Sequence, residues 1–291
     1  MTHLISDQYL SELNQQGLIP GPDESEEQFL QRAQFCLDIV EHLSNHTGET
    51  FEPTDCSFLS EALPTTKELY DIAPEWPPIL FDSHKLSFWH GGCAWIFQLN
   101  DTSPISAILQ LQKKLKHSPS LYGFFNRKEI IIHEISHIGR MAFDEPQFEE
   151  ILAYRSSQSS LRSKLGAIAQ NSKESGLFVL SLITISMLDL FLVFSGYESL
   201  YNKFIWLKLI PLGMITYGLA RLAKNQKTLD TCISTLAKTV INPSHSLAVA
   251  YRLTDDEIKK FATYTPNKVL AYAKENEKLS LRWRLICSKY L

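Results

Sequence analysis

Residues 126–155 read NRKEIIIHEISHIGRMAFDEPQFEEILAYR, and a pair of helices folded back on each other accounts for most of that stretch. Asn126 is a good helix N-cap, and Glu129 follows it at capping-box spacing. The apolar run after it carries the helix to about Phe143. Asp144 then caps a second helix, with Pro146 in its first turn, so the chain folds about position 144.

His133 and His137 are four residues apart on the first helix and share a face, so adjacent turns can hold one metal ion. Glu134 is rotated ~100° from His133 and can reach a water at that metal. Two neutral imidazoles and one carboxylate leave a zinc position open, as catalytic rather than structural zinc requires. The third ligand is expected from the second helix. His137 precedes the fold by seven residues and Glu150 follows it by six. Both then lie ~10 Å from the turn at ~1.5 Å per residue. Glu149 is almost level with them; Glu145 sits in the turn, too far away.

HEISH followed by FEEILAY resembles the gluzincin zinc peptidases, the thermolysin-like and aminopeptidase-like group. Their second motif is a Glu, often after Asn, with a small residue three positions on. Glu150 with Ala153 matches it; Glu149 would put Leu152 at the small position. The resemblance implies a zincin-like core, with Zn2+ held by His133, His137 and Glu150, and Glu134 as general base in peptide-bond hydrolysis. The gap between the motifs is shorter than in thermolysin, and Glu149 stands where Asn is usual. The choice between the two acids therefore stays open, Glu150 being favoured by the motif and Glu149 by its place beside the Phe148/Leu152 stripe. Such peptidases also place a strand beside the cleft, for which Ala94–Gln98 is the candidate. Tyr154, one turn after Glu150, is the nearest group to steady an oxyanion; Arg140, His245 and Tyr251 are others.

Beyond the motif, two apolar runs follow closely. Leu177–Gly196 contains one charge, Asp189, and Phe204–Ala220 contains one, Lys208. Each approaches the ~20 residues a spanning helix needs, and a short connector makes them a transmembrane hairpin over 177–222. Asp189 and Lys208 lie at similar depth, and pairing them avoids leaving either charge alone in hydrocarbon. Basic residues flank both outer ends (Arg155, Arg162, Lys164 and Lys173; Arg221, Lys224 and Lys227), which places the N- and C-terminal parts in the cytoplasm.

The rest reads as mainly α, with a small β-hairpin or sheet beside the active-site helix (an α+β core). Four regions are expected: 1–125, helical with the β element at about 86–98; 126–170, the zinc-site helices; the hairpin at 177–222; and helical 223–291. Within them, Ser25 and Gln28 form a capping box for a helix to about His42. Residues 46–64 read as loop, with a short helix from about Thr65. Ser103-Pro104 opens a helix to about Leu115, Thr254–Glu257 is a second capping box, and Thr265-Pro266 opens a further helix.

Composition narrows the function. The net charge is −4, with Lys+Arg 28 against Asp+Glu 32, so no basic excess exists for nucleic acid. Five widely spaced cysteines with no CxxC argue against a disulfide framework. The N-terminal residues lack a signal-peptide pattern. The sequence thus points to a membrane-anchored zinc metalloprotease acting on membrane-proximal protein or peptide substrates. The alternatives are a non-catalytic membrane-hairpin scaffold with an incidental or structural metal site, and a zinc hydrolase for a non-peptide bond.

Overall fold

A computed structural model describes residues 5–48, 57–87, 90–123, 125–157, 159–170 and 172–291. The chain is mainly helical, with a small three-stranded sheet packed against the motif helix. The strands are β1 (Ile79–Phe81), β2 (Gly92–Phe97) and β3 (Ser106–Leu111), in the order β1-β3-β2. β1 runs parallel and β2 antiparallel to the central β3. β2 is therefore an edge strand, and this edge lies over the motif helix.

β3 corrects the sequence reading, which made 103–115 a helix. A short apolar run buried on both faces fits a central strand as well as a buried helix. Here Ala107, Leu109 and Leu111 are all fully buried, and helical turns are confined to Lys113–Lys116. The hairpin expected within 86–98 is instead closed between β2 and β3; Phe88 and Trp89 lie outside the described residues.

The Ser25 capping box forms, but its helix ends at Leu37 and a second one covers Ile39–Thr47. Of the expected 46–64 loop, residues 49–56 lie outside the described residues and Ser57–Ser60 make one helical turn. The helix expected near Thr65 spans Leu63–Tyr70.

The motif helix spans Arg127–Ile138, and Asn126 accepts from the Lys128 N–H. Glu129 does not complete a capping box; it turns inward to Arg162, 2.6 Å away. The helix stops five residues before the expected Phe143, where Arg140 tucks under it, fully buried, and donates to the carbonyls of Tyr251 and Leu253. Gly139 permits this closure, since a Cβ there would collide with the Tyr251 hydroxyl. The next helix, Pro146–Tyr154, is not capped by Asp144. Its first free amides, Gln147 and Phe148, are accepted instead by the Asp255 carboxylate at 2.8 and 3.3 Å. Glu145 returns the bond by accepting from the Asp255 N–H at 2.8 Å. Two helix starts more than a hundred residues apart thus cap each other.

One hydrophobic core runs from Ile5 to Tyr290 and joins the chain on both sides of the apolar hairpin. The C-terminal helix Leu281–Tyr290 buries Trp283, Leu285 and Ile286 in it. The Thr254 box starts helix Asp255–Phe261, and Pro266–Asn276 follows, both as expected.

Two helices are long and apolar enough to cross a membrane, within Lys173–Phe194 and Leu200–Leu236. Their apolar side chains point outward: Leu177, Leu180, Met187 and Phe191 are all more than half exposed. A soluble core helix would bury them. The first helix ends at Phe194, and Gly196 just beyond it, with a φ of +73°, makes the left-handed turn that closes it. The connector is longer than expected, with a short helix Glu198–Phe204 and a 3-10 turn Ile205–Lys208 before regular helix resumes at Leu209. That last helix continues unbroken to Leu236. Its second half buries Leu222, Leu229, Cys232 and Leu236 in the core.

Lys208 Nζ lies 3.0 Å from the Asp189 carboxylate, the pair expected from their matched depth, and 3.0 Å from the Tyr201 hydroxyl. Asp189→Asn strands the Lys208 charge and is expected to lower the membrane-inserted fraction in alkaline extraction. Adding Lys208→Met should restore it. Unchanged extraction of the single variant would show the pair to be idle.

Candidate metal centre

The motif helix and the Pro146–Tyr154 helix lie side by side and bring His133, His137 and Glu150 together. One ligand atom from each falls within 4.8 Å of the other two. The two imidazole Nε2 atoms are 3.3 Å apart. Each is 3.7 Å from an oxygen of Glu150. Ligands bound at ~2.0–2.2 Å to a tetrahedral ion are roughly 3.3–3.5 Å apart, and the spacing of these three groups is close to that.

Glu149 takes a different part. Its carboxylate lies 2.7 Å from His137 Nδ1, on the side of the ring away from the cluster. That bond places a proton on Nδ1 and turns Nε2 toward His133 Nε2 and Glu150, the kind of outer support that metal-bound histidines have. The two adjacent acids, ambiguous in sequence, thus divide the work: Glu150 faces both Nε2 atoms and Glu149 orients one ring. Glu149→Gln is expected to weaken zinc binding by about 10–100-fold without abolishing it, as measured by chelator competition. Unaltered affinity would remove Glu149 from the site.

Burial and the neighbouring His137 push His133 down to about 3, so this ring is neutral. Burial acts on His137 in the same sense. The Glu149 bond and the carboxylates of Glu150 and Glu134 outweigh it and raise His137 to about 9. Burial lifts Glu134 to about 7, against the pull of His137 and the Ala94 N–H. Burial raises Glu150 as well. Three carboxylates therefore surround two imidazoles that share one positive charge. A divalent cation fits that donor set better than a single proton does.

Glu134 sits one step around the helix, and its Oε2 accepts the Ala94 N–H of β2 at 2.7 Å. This ties the motif to the edge strand, a contact the sequence did not disclose. Tyr154 packs against His133 with ring centroids 4.6 Å apart and planes tilted by 58°, and it borders the cleft. Gly166 allows this, because a Cβ there would enter the Tyr154 ring. Burial and the carboxylates of Glu150 and Glu134 push the Tyr154 hydroxyl up to about 12, so it remains a donor.

The other oxyanion candidates fall away. Arg140 and Tyr251 lie in the core behind the motif helix, where the Tyr251 hydroxyl donates to the Ser136 carbonyl. His245 packs on Tyr290. The cluster opens on a cleft of about 690 Å³, bounded by Gly92–Ile96 on one side and by Gly166, Ala169, Gln170 and Ser175 on the other. His90 also lines it. A side pocket of about 150 Å³ adjoins, between Gly91, Ile130, Phe125 and the Arg162–Glu129 pair. Comparison with protein families, curated proteins and solved structures finds no match to this chain.

Proposed function

We propose that the chain is a gluzincin-type zinc metallopeptidase, with a zincin-like core anchored to a membrane by its two apolar helices. The observation that carries this is the convergence of His133, His137 and Glu150 beside Glu134, on a cleft lined by an edge strand. His133 Nε2, His137 Nε2 and the Glu150 carboxylate would hold the ion. Zinc in such a set supplies Lewis acidity, polarising the scissile carbonyl and lowering the pKa of water to ~7.

The chain's own groups do the rest. Glu134, anchored through one oxygen by Ala94, accepts a proton from the attacking water on the other. It then hands that proton to the departing amine, so the carbonyl carbon gains the water oxygen as the C–N bond breaks. Tyr154, protonated and at the cleft wall, donates toward the oxygen that gathers charge. The outer edge of β2, on either side of the Ala94 N–H that Glu134 accepts, receives the substrate backbone as an added strand. The basic flanks support a cytoplasmic side for the N- and C-terminal parts, and the cleft's junction with the first apolar helix favours protein substrates near the membrane.

The test uses the whole chain in lipid nanodiscs. It should carry one zinc per chain and cleave members of a mixed peptide pool. A chelator should stop that cleavage and zinc should restore it. A folded chain without zinc, its histidines intact, would leave the scaffold reading instead.

A further inference from the structure

The cleft does not end at the metal-ligating residues. Ala169 and Ser175, on its outer wall, also line a second groove of about 510 Å³ between the two apolar helices. Phe178, Val179, Met214, Ile215 and Gly218 form the body of that groove. Its charges among the described residues, Arg221 and Glu174, are bound to each other through two contacts of 2.6 and 2.7 Å. Both are held to the backbone as well: Arg221 donates to the Ile168 carbonyl, and Glu174 accepts from the Gln170 N–H. A ligand in the groove thus meets apolar walls and a neutralised rim.

The groove is shallow in membrane terms. Ser175 to Val179 is four residues, about 6 Å along a helix, and Arg221 back to Met214 is seven, about 10 Å. It covers the core-facing ends of both helices rather than their middles.

From this continuity we infer that the groove seats the last apolar residues of a membrane-spanning polypeptide substrate, whose chain then passes over Ala169 and Ser175 into the cleft. The inference rests on the peptidase and membrane readings above. A polypeptide suits both ends of the track, whereas a lipid suits one. An acyl chain could fill the groove, but only an extended backbone offers the row of amides that the outer edge of β2 can pair with on either side of the Ala94–Glu134 bond. The substrate class is therefore a membrane-anchored protein cut just outside the bilayer.

The test needs no turnover. The intact chain carrying Glu134→Gln is placed in phosphatidylcholine nanodiscs with a designed peptide. The peptide has an apolar span of ~20 residues, as a bilayer requires, followed by a polar arm. A diazirine-bearing leucine sits in the last turn of its span. Labelling of Val179 and Ile215 is compared with that of Leu177 and Leu180, which are exposed at nearby depth but outside the groove. A groove preference worth one decade in affinity labels the first pair about tenfold more. Equal labelling overturns the inference. So does groove labelling by a photoreactive phosphatidylcholine that the peptide fails to displace. If the groove is labelled but the parent chain never cleaves this peptide or any other, the seat stands and the peptidase reading falls. If cleavage occurs without groove labelling, only the seat falls.

Discussion

Glu134→Gln in the intact chain is expected to lower peptide hydrolysis by about 10²–10⁴-fold, the usual contribution of a positioned general base. Zinc content and fold should be unchanged. The reason lies in how the two carboxylate oxygens are used. One accepts the Ala94 N–H at 2.7 Å, a bond that a glutamine carbonyl can keep. The other is left to take a proton, which an amide nitrogen cannot do. Loss of the reaction alone should appear in kcat, with substrate binding and the metal retained. Activity within a few-fold of the parent chain would mean that Glu134 only braces β2. Simultaneous loss of zinc and of helical signal would mean that the variant had unfolded and that another readout was needed; Glu134→Asp, a shorter base, should then recover fold with reduced turnover.

Glu257→Gln should be among the most destabilising single changes in the core. Glu257 and Arg282 are both nearly inaccessible, and their ion pair closes at 2.7 and 2.9 Å. The same carboxylate accepts the Trp283 indole N–H and the Thr254 N–H, so one side chain ties a helix start to the C-terminal helix. Removing its charge leaves a buried guanidinium uncompensated, a change that costs about 3–5 kcal/mol. In a domain of this size that corresponds to a fall in Tm of roughly 6–20 °C, read by near-UV circular dichroism in nanodiscs. Burial alone would raise the Glu257 carboxyl, but Arg282, Thr254 and Trp283 hold it below its ordinary value. The folded-state pKa therefore lies below the unfolded one of ~4.3. The stabilisation is complete above that pH and disappears as pH falls through the lower, folded value. The parent chain should lose stability on acidification below about pH 4, and the Gln variant should be flatter there. Equal acid slopes would show that Glu257 carries no such linkage.

Local chemistry was legible in the sequence, and partners at a distance were not. The capping boxes at Ser25 and Thr254 are written within four residues each, and both form. Asp189 pairs with Lys208 as expected, but Lys208 stands in the 3-10 turn of the connector and not within the second long helix, so the count along two helices reached the right partner through a different path. His133, His137 and Glu150 converge because helical spacing and a tight return suffice to bring them level. Asp144 failed as a cap because Asp255, 110 residues from Glu145, does that work, and no local pattern signals it. Glu129 left its box for Arg162, a partner supplied by tertiary packing. β3 was misread because burial on both faces erases the alternation that identifies a strand. The Glu149–Glu150 ambiguity needed side-chain direction, which spacing alone does not encode.

The unbroken helix Leu209–Leu236 has a mechanical consequence. Each residue advances a helix by ~1.5 Å and turns it by ~100°. One end of this rod is greasy and exposed, the other is locked among core side chains, and nothing between them yields. The cluster of His133, His137 and Glu150, packed in the same core, is thus held at a set height and compass bearing relative to the exposed apolar end, and the number of residues in the rod fixes both.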